Sequence, residues 1–103
     1  MFNKNNERWK NKMKMRKVMG GKFTTERENQ EIISCIDDGV MGNQLVLTDV
    51  SICNLGDNEI NVIINGGSKI PVDTDEILSL QDLDVRTVVI VEKGSTIKIL
   101  GLC

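Results

Sequence analysis

The segment DTDE, Asp73 to Glu76, sets three carboxylates within four residues and has the best claim in this chain to metal or acid–base chemistry. Alternate acidic side chains can converge on a hard cation such as calcium, which takes oxygen ligands. The segment lacks the glycine and the spaced ligand set of an EF-hand loop, however. Like Asp37-Asp38 and Asp57/Glu59, it falls in a predicted turn, where Asp ordinarily shapes the backbone and meets solvent. Turn chemistry is the expectation at all three places, with no bound metal.

Other catalytic sets fail on composition. The chain has no His, which removes the commonest general base and zinc ligand, and with it Ser-His-Asp and Cys-His catalysis. GGSK, Gly66 to Lys69, has the glycines of a phosphate-binding loop, but it runs into Ile-Pro-Val where such a loop would enter a helix. The Asn65-Gly66 pair reads instead as a type I′ hairpin turn. Cys35, Cys53 and Cys103 are odd in number, show no CxxC spacing, and have no base beside them. Cys35 and Cys53 read as small core residues. No catalytic residue and no cofactor are expected, so the chain is not expected to be an enzyme.

The strongest functional signal is electrostatic. Met1 to Lys22 holds eight Lys or Arg against one Glu, a net +7, while the remaining residues hold five basic groups against fourteen acids, a net −9. The overall −2 conceals this polarity. WKNKMKMRKVM has the length of a short helix, with Trp9 and Met13 four apart, but no clean apolar stripe, so its ordering should come from a partner. The candidate partner-binding residues are Arg8, Trp9, Lys10, Lys12, Met13, Lys14, Met15, Arg16 and Lys17.

Several readings of such an arm compete. Nucleic acid would use the counterion-release term and stacking on Trp9, but the acidic body would repel the same polyanion, and no accompanying recognition motif is present. A mitochondrial presequence should be Ser- and Arg-rich, and a calmodulin-target helix needs a clearer stripe. An acidic protein surface, on another copy or a neighbouring protein, neutralises both halves of the polarity and buries Trp9 and the Met side chains as anchors. A purely solvating tail would not need that Trp and Met content. No apolar run reaches the length of a membrane span, and no membrane partner is expected.

The elements that carry these groups read as β. Between Ile32 and Leu102, 29 of 71 positions are Ile, Val or Leu, a β-branched bias typical of strands. Gly20-Gly21 followed by the polar TTERENQE predicts a flexible joint, which divides the chain into a basic arm and joint over 1–30 and a body over 31–103. Strands are predicted at EIISCID, at QLVLTDVSIC as the longest, at EINVIIN with Ile60, Val62 and Ile64 on one face, near Ile77 to Leu80, at RTVVIVE and at STIKILGL. Pro71 confines its strand to an edge. The run Val88 to Val91 predicts burial on both faces, and hence a cover from a second subunit. Six or seven short strands make an all-β antiparallel sandwich or small barrel, with an extended or helical N-terminal arm.

The run VSICNLGDNEINVIINGGSKIPVDTDEILSL, with VRTVVIVEKGSTIKILGL after it, resembles small β-sandwich structural proteins of tailed bacteriophage virions over Asp49 to Leu102. The resemblance lies in an Asn-Gly phrase closing a strand, an apolar-Pro step, an acidic residue before a short strand, and a late I-V-E-x-G-S-T hairpin. It implies a multi-copy virion component of capsid-decoration or head–tail type, assembled in the host cytoplasm. Its partners would be copies of itself and other virion proteins with acidic surfaces. A small nucleic-acid-binding module with a basic arm is the alternative expectation.

Overall fold

The computed structural model describes residues 17–36 and 46–103, at positions 35 and 36 the backbone alone. These residues form eight strands in two antiparallel four-stranded sheets. One sheet has the order β1-β8-β3-β6, from Val18–Thr24, Thr96–Leu102, Thr48–Asn54 and Ile77–Leu80. The other has the order β2-β7-β4-β5, from Gln30–Glu31, Val88–Ile90, Ile60–Ile64 and Lys69–Val72. The expected all-β sandwich class is the one observed.

Alternation drives the layering. Val50 and Ile52 on β3, with Ile97 and Ile99 on β8, face Val62 on β4 and Val88 and Ile90 on β7, and all are essentially excluded from solvent. Each such aliphatic side chain contributes about 1.5–3 kcal/mol on burial. Met19, Phe23, Ile70, Leu78 and Leu80 pack against this core from the edge strands and stay half-exposed. The β4–β5 connection is the one tight hairpin among the described residues. Asn65 and Gly66 have φ of 51° and 72°, and the Gly67 N–H donates to the Ile64 carbonyl at 2.9 Å, as the Asn-Gly pair predicts. Pro71 lies on β5 at a sheet edge, also as expected.

Several expectations are corrected. The predicted joint at Gly20-Gly21 is strand β1, paired residue for residue with β8 from Val18↔Leu102 to Thr24↔Thr96, so the sandwich begins ahead of Glu31. Backbone pairing here outweighs the weak strand preference of glycine. At φ +157° a Cβ on Gly20 would run into the Ile99 carbonyl oxygen, so this approach of β1 to β8 requires glycine.

EIISCID is not one strand. β2 ends at Glu31, and Ile33–Ile36 make a single helical turn, α1. The cause is the Glu31 carboxylate, which accepts the N–H groups of Ile33 and Ser34, at 3.0 Å and 2.6 Å, and also that of Val88. It caps the turn and leaves Ile32 and Ile33 in the core. The longest predicted strand starts later, at Thr48, after an isolated bridge from Leu47 to Val85. Its first residues, together with Asp37-Asp38, lie outside the described residues.

Within the single chain, β7 is buried on its inner face alone, and the expected cover from a second subunit would lie on the outer one. Val88 and Ile90 are buried, whereas Val89 and Val91 are half-exposed. Cys53 is on the outer face of β3 rather than in the core, half-buried, while Cys103 is exposed. The late I-V-E-x-G-S-T phrase is no hairpin either. β7 and β8 belong to opposite sheets, and Glu92 to Ser95 arch between them. Burying two apolar strand faces in one core favours such an arch over local pairing.

Candidate functional site

Four connections gather at one end of the sandwich. The Thr25 N–H donates to Ser95 O at 2.8 Å and the Gly94 N–H to Thr25 O at 2.9 Å, joining the β1–β2 turn to the β7–β8 arch. The Leu55 N–H donates to Thr96 O, and the Asn54 and Asp75 N–H groups bind Glu76 O and Asn54 O. These bonds hold the β3–β4 and β5–β6 connections beside them.

The acids of the body concentrate here because the turns do. Glu26 and Glu28 are on the β1–β2 turn, Asp57 and Glu59 on the β3–β4 connection, Asp73, Asp75 and Glu76 on the β5–β6 turn, and Glu92 on the arch. All but the half-buried Glu92 are exposed, and only Arg27 and Lys93 offset them. Their like charge produces a negative potential over this end. A cleft of about 260 Å³ opens between the β3–β4 connection and the arch, with Asp57, Glu59 and Glu92 on its walls.

The side chains inside this end are structural fasteners. Asn54, fully buried, donates through Nδ2 to Asn58 O at 2.8 Å and Val72 O at 3.0 Å, and its Oδ1 accepts the Gly56 N–H at 2.9 Å. The Glu92 carboxylate accepts both the N–H and the Nδ2 of Asn61, at 2.7 Å and 2.8 Å. The Thr25 hydroxyl donates to Glu92 O and accepts the Ser95 N–H. None of these positions stood out in the sequence. An Asn within a turn phrase looks the same whether it is solvated or clamps three backbone groups.

The carboxylates weighed for catalysis or calcium are built into the same scaffold. The Asp73 N–H donates to Glu76 Oε1 at 3.0 Å, and the Glu76 N–H returns to Asp73 O at 3.0 Å. Asp75 sits at φ 63°, a left-handed turn position that Asp tolerates well. DTDE is therefore a locally closed turn. Among the described residues, no group of three or more His, Cys, Asp or Glu side chains is arranged to hold a metal ion, and no buried side-chain polar atom is left without a hydrogen bond.

The predicted arm residues Arg8, Trp9, Lys10, Lys12, Met13, Lys14, Met15 and Arg16 lie outside the described residues. Lys17 is described. It is exposed, and its backbone exchanges hydrogen bonds with Cys103 at 3.1 Å and 2.8 Å. This pair marks where the arm leaves the body. It lies at the start of β1, the end of the sandwich opposite the acidic turns. At about 3.3 Å per residue, the seven residues of β1 separate the two ends by roughly 20 Å.

Comparison with protein-family models, with curated proteins and with solved structures finds no match to this chain.

Proposed function

We propose that the chain is a non-enzymatic structural subunit that assembles with copies of itself, the basic arm of one molecule seated on the acidic end of another. The observation that carries this reading is the gathering of acids on the turns at the end of the sandwich remote from Lys17, the residue that follows the basic segment in the chain. Six Lys or Arg and one Glu precede Lys17, while eight carboxylates and two basic groups occupy the turns at the far end. A basic segment and an acidic end on the same chain favour association in which the segment of one copy meets the acidic end of another. A polyanion such as nucleic acid would be drawn to the arm but repelled by the far end.

The setting we propose is a tailed-bacteriophage virion, with the chain as a capsid-decoration or head–tail component. This part rests on the strand-and-turn resemblance over Asp49 to Leu102. Other virion proteins with acidic surfaces would then serve as further partners of the arm.

Sedimentation of the full chain and of a chain lacking residues 1–16 tests the reading. Self-association that weakens with salt and disappears with the arm is the expected result. Association that is unchanged without the arm removes the proposal. Salt-steep binding of generic duplex DNA by an otherwise monomeric full chain would put the nucleic-acid-binding module in its place.

A further inference from the structure

Strand β1 is one edge of its sheet, with β6 the other, and among the described residues nothing pairs with its outer side. Lys17 and Cys103 exchange both backbone bonds, and the Thr25 N–H again meets β8 through Ser95 O. In an antiparallel ladder the bonded positions alternate, so Met19, Gly21 and Phe23 also turn their N–H and C=O groups to β8. Val18, Gly20, Lys22 and Thr24 therefore turn theirs outward. This edge is seven residues long and has no proline and no bulge, two of the devices that usually block addition of a further strand, and Lys22 is its one charged side chain. By contrast, β5 at an edge of the other sheet contains Pro71, and β2 has only two residues.

We infer that a second copy of the chain pairs its β1 antiparallel to this edge about a two-fold axis at Gly21, joining two sheets into one continuous sheet of eight strands. Gly21 is the midpoint of β1, so this register uses the whole strand. Val18 then faces Thr24 of the second copy, and Lys22 faces Gly20. A pairing centred on Lys22 would instead set two ammonium groups directly opposite each other. On the core side, Met19 meets Phe23 of the second copy at each end of the axis. Both are half-exposed in the single chain, and the contact of thioether with ring covers them.

Charge selects the same orientation. Antiparallel pairing lays the basic start of one β1 beside the end of the other, where Glu26 and Glu28 begin the acidic turns. Each arm then leaves its own body alongside the acidic end of its neighbour. This charge argument rests on the arm reading proposed above, whereas the backbone edge and the register stand without it.

A paired substitution in the full chain tests the register. Residues opposite each other in a bonded antiparallel pair lie about 5.5 Å apart at Cα, within reach of a disulfide. In one chain, positions 18 and 24 are separated by roughly 20 Å of strand. The variant carrying Val18→Cys and Thr24→Cys, both on the exposed face, should give a covalent dimer on mild oxidation. Each single variant should give no more than the unsubstituted chain, which controls for Cys35, Cys53 and Cys103. Absence of the dimer from the double variant, or equal yields from either single variant, overturns the pairing. If association needs residues 1–16 but the double variant does not cross-link, the edge pairing falls and the arm reading stands. Equal cross-linking with and without residues 1–16 at low and high salt keeps the pairing and removes the arm reading.

Discussion

Gly20 lies so close to the Ile99 carbonyl oxygen that even a methyl group has no room between them. That approach brings the first strand onto β8 and anchors the point where the basic arm begins. Gly20→Ala should force β1 outward, at a cost of about 1–3 kcal/mol, the usual range for overpacking. A lower urea midpoint, with faster amide exchange along β8 than elsewhere in the body, would bear this out.

Asn54→Ala leaves the Val72 and Asn58 carbonyls and the Gly56 N–H without their partner, the first of them buried. Each unmet group costs about 1–3 kcal/mol before water relieves part of it, so a loss of about 2–4 kcal/mol is expected. Thermal unfolding checks the value. Asn54→Asp should not recover it, because a buried carboxylate oxygen would face the Asn58 and Val72 carbonyls where the amide now donates.

Truncation has two different outcomes according to where it stops. Removing residues 1–16 spares every strand among the described residues, and the urea midpoint should stay close to that of the full chain. Removing residues 1–22 deletes most of β1 and exposes the edge of β8, including the core-facing Ile99 opposite Gly21. That protein should be strongly destabilised or fail to fold. Circular dichroism and urea titration of the two truncations separate the cases.

Much of this architecture was legible where side chains alternate. Ile60, Val62 and Ile64 mark β4 with their own period, and Asn65-Gly66 and Pro71 mark its turn and the edge strand beside it. β1 was not legible, because VMGGKFT has no such period and its order comes from backbone bonds to a strand more than seventy residues away. Glu31 hid the end of β2, since a carboxylate that caps a helical turn looks like any surface acid. The acidic end was hidden for a related reason. Its eight carboxylates are scattered from Glu26 to Glu92 in the chain, and only the crossing of strands between sheets brings their turns together.

The central claim, that the arm of one molecule engages the acidic end of another, is tested most directly by titrating a peptide of residues 1–16 onto the body of residues 17–103. Binding that weakens steeply with salt, is lost when Glu26, Glu28, Asp57 and Glu59 are made neutral amides, and survives the same change at Asp82 and Asp84, exposed on the β6–β7 connection at the other end, is the predicted result. No binding at low salt, or equal loss in both variants, would contradict it.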